Sequence, residues 1–227
     1  MPKIYRLSRT GLRLYYKIRH HRGHGIHSPF VFGLVTRVIE EKRPFYAYNE
    51  IKEFISGSFN LNQQLNKSNL LSFKLVNYFN SKKILEIGAG TGVNTLCLTA
   101  PSSDIKCIGI ELQEKKYKSA QLLYREWGRN ITLHTDKVPQ VSEIQDCICV
   151  DLRNYDADKS FFFDTLFGIV GNESFIIIKG IRTNKKRQAL WKNLRDSQKV
   201  TVSLDLYHEG ILFFNPKLFK RNYRISF

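Results

Sequence analysis

Paired thiols are missing from this chain. Its four cysteines, Cys97, Cys107, Cys147 and Cys149, form no CxxC pair, which excludes the common zinc and dithiol redox motifs. They sit in apolar segments and read as small buried hydrophobes kept reduced in a cytoplasmic protein. Long apolar runs are missing too. No stretch approaches the roughly 18 residues that a membrane helix needs. The early positive charge of Met1 to Arg6 is followed by neither an apolar stretch nor a small-residue cleavage site. The expectation is a cytoplasmic protein with no membrane span and no signal peptide. Internal repeats are likewise absent.

Acid is absent where base is dense. Residues 1–39 hold eight Lys or Arg and no Asp or Glu, a charge of +8. Residues 182–199 carry +6 and residues 217–224 carry +4, so against a total of +16 the rest of the chain is near neutral. Charge gathered at the two ends of a chain suits an anionic partner at a local surface. Lysine-rich solvated helix faces account for it equally well, and both readings stay open.

What is present is enough for one α/β domain with an appendage: 227 residues, 42% hydrophobic and 25% charged. Residues 3–20 mix apolar and basic positions as a basic amphipathic helix does. The run Gly25-Ile26-His27-Ser28-Pro29 breaks that pattern. A helix is expected over 30–42, a Ser/Asn/Gln-rich linker over 56–68, and a helix over 69–79. Strand and helix then alternate, as in a parallel sheet covered on both faces. Strands are expected at 83–87, 106–111, 131–135, 146–151 and 174–179. Helices are expected at 92–100, 114–127, 159–168 and 184–197, with a short one near 138–143. The last two strands, 200–206 and 210–214, are separated by only Tyr207-His208-Glu209, which permits an antiparallel hairpin and excludes a parallel crossover. The division expected is a basic helical extension and linker over 1–68, then a catalytic domain over 69–227.

The strongest motif is Ile84-Leu85-Glu86-Ile87-Gly88-Ala89-Gly90-Thr91-Gly92, a strand running through a glycine turn into a helix. Glycines suit a turn with unusual dihedrals and let a ligand approach the backbone closely. The dinucleotide fingerprint needs a glycine at position 93, where this chain has Val93. The spacing here, with Glu86 on the strand, is that of methyltransferases. Glu111 ends the next strand 19 residues after Gly92, placed to accept both ribose hydroxyls, with Leu112 beside it. Asp136, after the third strand, can accept an adenine amino group. Asp151 ends the fourth strand at the edge where open α/β sheets bind ligands. Each carboxylate alone could be a cap or a loop residue, but four at successive strand ends form a set.

These residues resemble the class I S-adenosylmethionine-dependent methyltransferases, over residues 69 to about 214. The segments Asn69–Val76 and Gly25–Phe32 look like a little-characterised bacterial branch near the small O-methyltransferases. The resemblance implies a Rossmann-like seven-stranded sheet of order 3-2-1-4-5-7-6 with strand 7 antiparallel. It implies S-adenosyl-L-methionine as cofactor, held by Glu86, Gly88, Ala89, Gly90, Thr91, Gly92, Glu111, Leu112, Asp136 and Asp151. Metal-dependent members hold a cation with an Asp ending strand four and an Asp-Asn pair ending strand five. Asp151 matches the first, but Lys179-Gly180 stands at the second, so no metal is expected. Lys179 either supplies the missing positive charge or forms a salt bridge to Asp151. Asp151, Lys179 and His27 are the candidate catalytic groups. His27 is either a base held over the site or part of a structural turn that caps a helix or touches cofactor. His20, His21, His24 and His27 cluster without a Cys or carboxylate nearby, which argues against a metal site. The acceptor is either RNA, held by the N-terminal segment and residues 182–199, or a small hydroxylated molecule beneath an N-terminal lid. A non-catalytic module that retains the pocket is the remaining alternative.

Overall fold

The computed structural model of the protein describes residues 26–57, 65–136 and 138–227. The expected helix over 3–20, the histidines 20, 21 and 24, and most of the expected linker lie outside the described residues. The first described helix, α1 (Pro29–Leu34), starts as its sequence dictates. Ser28 is the N-cap, its Oγ accepting from the Val31 amide, and Pro29 has no amide to satisfy. It runs on as a π-helical turn to Ile39. There Lys74, on a neighbouring helix, donates its ammonium to the Ile39 and Glu41 carbonyls. Two longer helices follow, α2 (Tyr46–Gly57) and α3 (Lys67–Phe79). A capping box in which Asn66 and Asn69 exchange side-chain and backbone bonds starts α3, and Asn80 in the left-handed region ends it.

The sheet holds β1 (Lys83–Ile87), β2 (Lys106–Ile110), β3 (Asn130–His134), β4 (Gln145–Asp151), β5 (Val170–Lys179), β6 (Val202–Asp205), β7 (Glu209–Phe213) and β8 (Arg221–Arg224). Its order is β3-β2-β1-β4-β5-β7-β6-β8. The first five strands are parallel, and β7 runs antiparallel to both β5 and β6. This is the expected topology with one addition. The C-terminal segment adds β8 in parallel beside β6, a four-residue strand whose polar sequence Arg-Asn-Tyr-Arg has no alternation to read. The crossovers carry α4 (Val93–Thr99), α5 (Glu114–Trp127) and α6 (Lys185–Arg195). The span expected as a helix, 159–168, is helical throughout, entering at 159–160, winding as a π turn over Phe161–Thr165 and tightening into a 3-10 turn, Leu166–Gly168. The short helix expected near 138–143 is not there; residues 138–144 are irregular.

Two cores follow from the period-2 alternation of the strands. Ile84, Cys107, Cys147, Cys149, Phe175, Ile177, Ile211 and Phe213 face one way and pack under α1 and α3. Leu85, Ile87, Ile110, Ile148, Val150, Ile176, Ile178 and Leu212 face the other way, against α6 and the 161–168 turns. A third cluster joins α2 to α4 and α5 through Ile51, Ile55, Phe73, Leu96, Leu123 and Trp127. All four cysteines are buried free thiols. Burial pushes the Cys97 and Cys149 thiols up to about 12, which keeps them protonated and unreactive at neutral pH. No helix among the described residues is long and apolar enough to cross a membrane.

Candidate active site at the carboxyl edge of the sheet

The glycine turn is fixed from below by main-chain bonds. The Gly88 and Ala89 amides donate to the Ile110 carbonyl at 2.8 and 3.0 Å. Gly88, Gly90 and Gly92 all have positive φ, a conformation that costs an L-residue strain. At Gly88 a Cβ would also lie 2.9 Å from the Asp151 carbonyl oxygen, so the β1 and β4 ends touch backbone to backbone. At Gly90 the space a Cβ would fill is met only by the Asn154 side-chain amide, the movable end of a side chain. That opening is the cradle a ligand's polar tail requires. Asn154 spans it in this structure, donating to the Gly88 carbonyl at 3.0 Å and accepting from Lys116 at 2.9 Å.

Glu111 is fully buried and holds the turn shut. One carboxylate oxygen accepts from the Gly90 amide at 2.7 Å and the other from the Gln113 amide at 2.8 Å. Each oxygen keeps a second lone pair, which leaves it able to accept from a diol. Beside it, Leu112 and Asp136 line one cleft of about 660 Å³, walled by Val138, Tyr155 and Phe161. Apolar and aromatic walls around a carboxylate suit a flat heterocycle that bears an amino group. Spacing found Leu112 and Asp136 but not the aromatic wall. Tyr155 and Phe161 belong to the connection after β4, whose sequence carries no motif.

Beneath the turn, Glu86 is not aimed at solvent. It is buried, accepting from Asn94 Nδ2 at 2.7 Å and from Thr95 Oγ1 at 2.5 Å. Thr95 in turn bonds the Tyr124 hydroxyl. Burial raises the Glu86 carboxyl above its ordinary range, opposed by the Thr95 and Asn94 bonds and by Lys179. Asn94 is the hub. Its Oδ1 accepts from Lys179 Nζ at 2.5 Å and from Asn69 Nδ2 at 3.3 Å. One side chain at the start of α4 thus ties together β1, β5 and α3, a role that no sequence spacing indicated.

No salt bridge forms between Lys179 and Asp151. Asp151 pairs with Arg153 instead, taking Nε at 2.8 Å, Nη2 at 2.6 Å and the Arg153 amide at 2.9 Å. Burial raises the Asp151 carboxyl, but Arg153 and then Lys179 outweigh it and hold it below its usual range. A residue two positions on reaches back more easily than one on the next strand, which explains the preference. His27 lies apart from these groups. It is exposed and precedes α1, whose Phe30 packs on Phe79 and Phe213. Phe213 pairs with Phe175, four residues before Lys179 and away from the carboxyl end of β5. The side-chain cap of α1 is Ser28, not His27.

The basic stretch 182–199 is partly used within the fold. Arg182 forms a bidentate pair with buried Asp205, Lys186 pairs with Asp156, and Arg187 donates to Thr183. Lys185 and Lys192 stay exposed. Among the described residues no group of His, Cys, Asp and Glu is arranged to hold a metal ion.

No protein-family model and no curated protein matches the chain. Solved structures do. A methyltransferase of Podospora anserina bound to S-adenosylhomocysteine superposes with a TM-score of 0.56 at 15% identity, covering 82% of this chain and 96% of that one. An O-methyltransferase of Bacillus cereus in complex with S-adenosylhomocysteine gives 0.52 at 18% identity, covering 81% and 96%. The O-methyltransferase TomG of Streptomyces achromogenes, in complex with S-adenosylmethionine, gives 0.52 at 16% identity, covering 76% and 91%. At these identities the likeness establishes the fold, the Rossmann-like sheet of class I methyltransferases.

Proposed function

We propose that this chain is an S-adenosylmethionine-dependent methyltransferase acting on a small hydroxylated molecule. The observation that carries the reading is the glycine turn. Three positive-φ glycines lie at the carboxyl edge, with an opening at Gly90 and Glu111 anchored to its amide. In this reading Gly88 to Gly92 hold the amino-acid end of the cofactor, Glu111 its ribose, and Leu112, Asp136, Tyr155 and Phe161 its base. The sulfonium supplies an already electrophilic methyl group. The chain's own residues then need only place a nucleophile in line and keep water out, an effect worth up to about 7–11 kcal/mol. The buried Glu86–Asn94–Lys179 network, the Asp151–Arg153 pair, and α3, whose Asn69 reaches Asn94, are suited to that role.

A small acceptor is favoured over RNA because of where the cover sits. α3 lies on the sheet face to which Asp151 and Lys179 belong by alternation, and its Asn69 reaches into the network. The reading carries a substrate-side role for the N-terminal 39 residues and a cytoplasmic location. Labelled cofactor incubated with bacterial extract, with RNA and small-molecule fractions counted separately, tests the acceptor class. Label in the small-molecule fraction is the expected result, and label confined to RNA would overturn it.

Transfer is expected to survive chelation. Arg153 pairs with the Asp151 carboxylate, and the β5 end presents an ammonium where a cation would need an anion. Activity with excess EDTA should equal activity with added magnesium. Loss in the chelator and recovery with magnesium would contradict the reading.

A further inference from the structure

The registers β4–β5 and β5–β7 set Asp151, Lys179 and Glu209 side by side in one row across three strands. By alternation all three belong to the face covered by α1 and α3, one row beyond Cys149, Ile177 and Ile211. Two members of the row have partners: Asp151 has Arg153, and Lys179 has Asn94. Glu209 differs. It is 5% exposed, and its Oε2 has no hydrogen-bond partner among the described residues. No ion pair joins it to Lys179 or Arg153, although Arg153 feels its charge.

A buried carboxylate oxygen without a donor is costly, and a fold keeps one only where something compensates. The backbone around Glu209 shows that the position is held rather than loose. The Glu209 carbonyl accepts from Leu206, and the Gly180 and Ile181 amides both donate to the His208 carbonyl. Tyr207 sits at φ 73, a strained conformation for a non-glycine residue. The hairpin thus locks Glu209 at the ligand-binding edge with one carboxylate oxygen unanswered.

We propose that Glu209 is the catalytic residue that receives the acceptor's hydroxyl hydrogen. This deepens the methyltransferase reading and rests on it. The acceptor hydroxyl donates to Glu209 Oε2, which turns an oxygen lone pair toward the methyl carbon. As the new C–O bond forms, the C–S bond breaks and its electron pair goes to sulfur. The hydroxyl proton passes to Glu209, which later releases it to water. Charge and atoms balance with no other reactant. Lys179, with one N–H committed to Asn94, keeps two more to steady an oxygen beside the hydroxyl. The acceptor class is therefore a small molecule with a hydroxyl next to a second oxygen function.

Glu209→Gln tests this with two readouts. The first needs no acceptor. If Glu209 is kept for a ligand, its neutral isostere relieves an unanswered charge, and the melting temperature of the S-adenosylhomocysteine complex stays equal or rises. Affinity for S-adenosylhomocysteine should be unchanged. The second is methyl transfer to the small-molecule fraction of the extract, which should fall by about 100-fold or more, mainly in kcat. A clear drop in melting temperature would make Glu209 structural and overturn the proposal, as would wild-type transfer. Glu209→Ala, which keeps no polar atom, should lose transfer equally, and retention there would also overturn it. Failure of the wild-type protein to bind S-adenosylhomocysteine at all would count against the underlying reading instead, and the melting comparison between free wild-type and Glu209→Gln proteins would still decide whether the carboxylate is structural.

Discussion

Asp205→Ala should cost about 3–5 kcal/mol of folding stability, because it takes the carboxylate away from a buried guanidinium. Asp205 is 2% exposed and serves four donors: Arg182 Nη1 and Nη2 at 2.6 Å each, Trp191 Nε1 at 3.0 Å and the Tyr207 amide at 3.0 Å. It therefore ties α6 to the hairpin that carries Glu209. The tie is tight on the other side as well. The Trp191 ring lies on Gly210 so closely that a Cβ there would stand 2.3 Å from it. For a chain of this size the loss corresponds to roughly 6–20 °C in melting temperature. Asp205→Asn should lose less, since its one carbonyl oxygen can still serve Trp191 or Arg182. A melting temperature for Asp205→Ala within about 2 °C of wild type would show that Arg182 finds another partner.

This pair also changes how the basic stretch is read. In the sequence, Arg182 opens a cluster that an anionic partner could use. Asp205 is 23 residues away, and only the hairpin fold brings it under the guanidinium. Charge density in a sequence records where cations are, and says nothing of which ones the fold has already neutralised.

Glu111→Ala should weaken S-adenosylhomocysteine binding by about 1–3 kcal/mol, roughly 5- to 150-fold in Kd. Two effects add in the same direction. The ribose hydroxyls lose a charged acceptor, and the Gly90 amide loses the bond that fixes the turn. Glu111→Gln separates them: one amide oxygen can keep the Gly90 bond while the charge is lost, so its affinity should fall between the other two. Calorimetry on the three proteins measures this. Equal affinity in wild type and Glu111→Ala would remove Glu111 from the site.

The parts of the proposed site that depend on position along a strand are legible in the sequence as candidates. Gly88 to Gly92, Glu111, Leu112, Asp136 and Asp151 are found by spacing because each is set by where its strand ends. The parts that depend on side chains meeting across elements are not. Asn94 looks like any polar residue in a first helical turn, and its bonds to Glu86, Lys179 and Asn69 exist only once three elements are packed. Glu209 reads as a turn residue until the β5–β7 register places it beside Lys179. The β8 strand is not legible for another reason: its mostly exposed polar residues carry no period, and the Ser203–Asn222 bond that joins it to β6 exists only once the strands pair.

The central claim is that the glycine turn and the adjoining cleft bind the adenosyl cofactor, and titration calorimetry of the wild-type protein with S-adenosylhomocysteine tests it most directly. The account predicts one-to-one binding. At a hundredfold excess over Kd, binding should add about 2.7 kcal/mol to stability, seen as a melting shift of roughly 5–11 °C. A flat titration together with an unshifted melting temperature at millimolar ligand would contradict it.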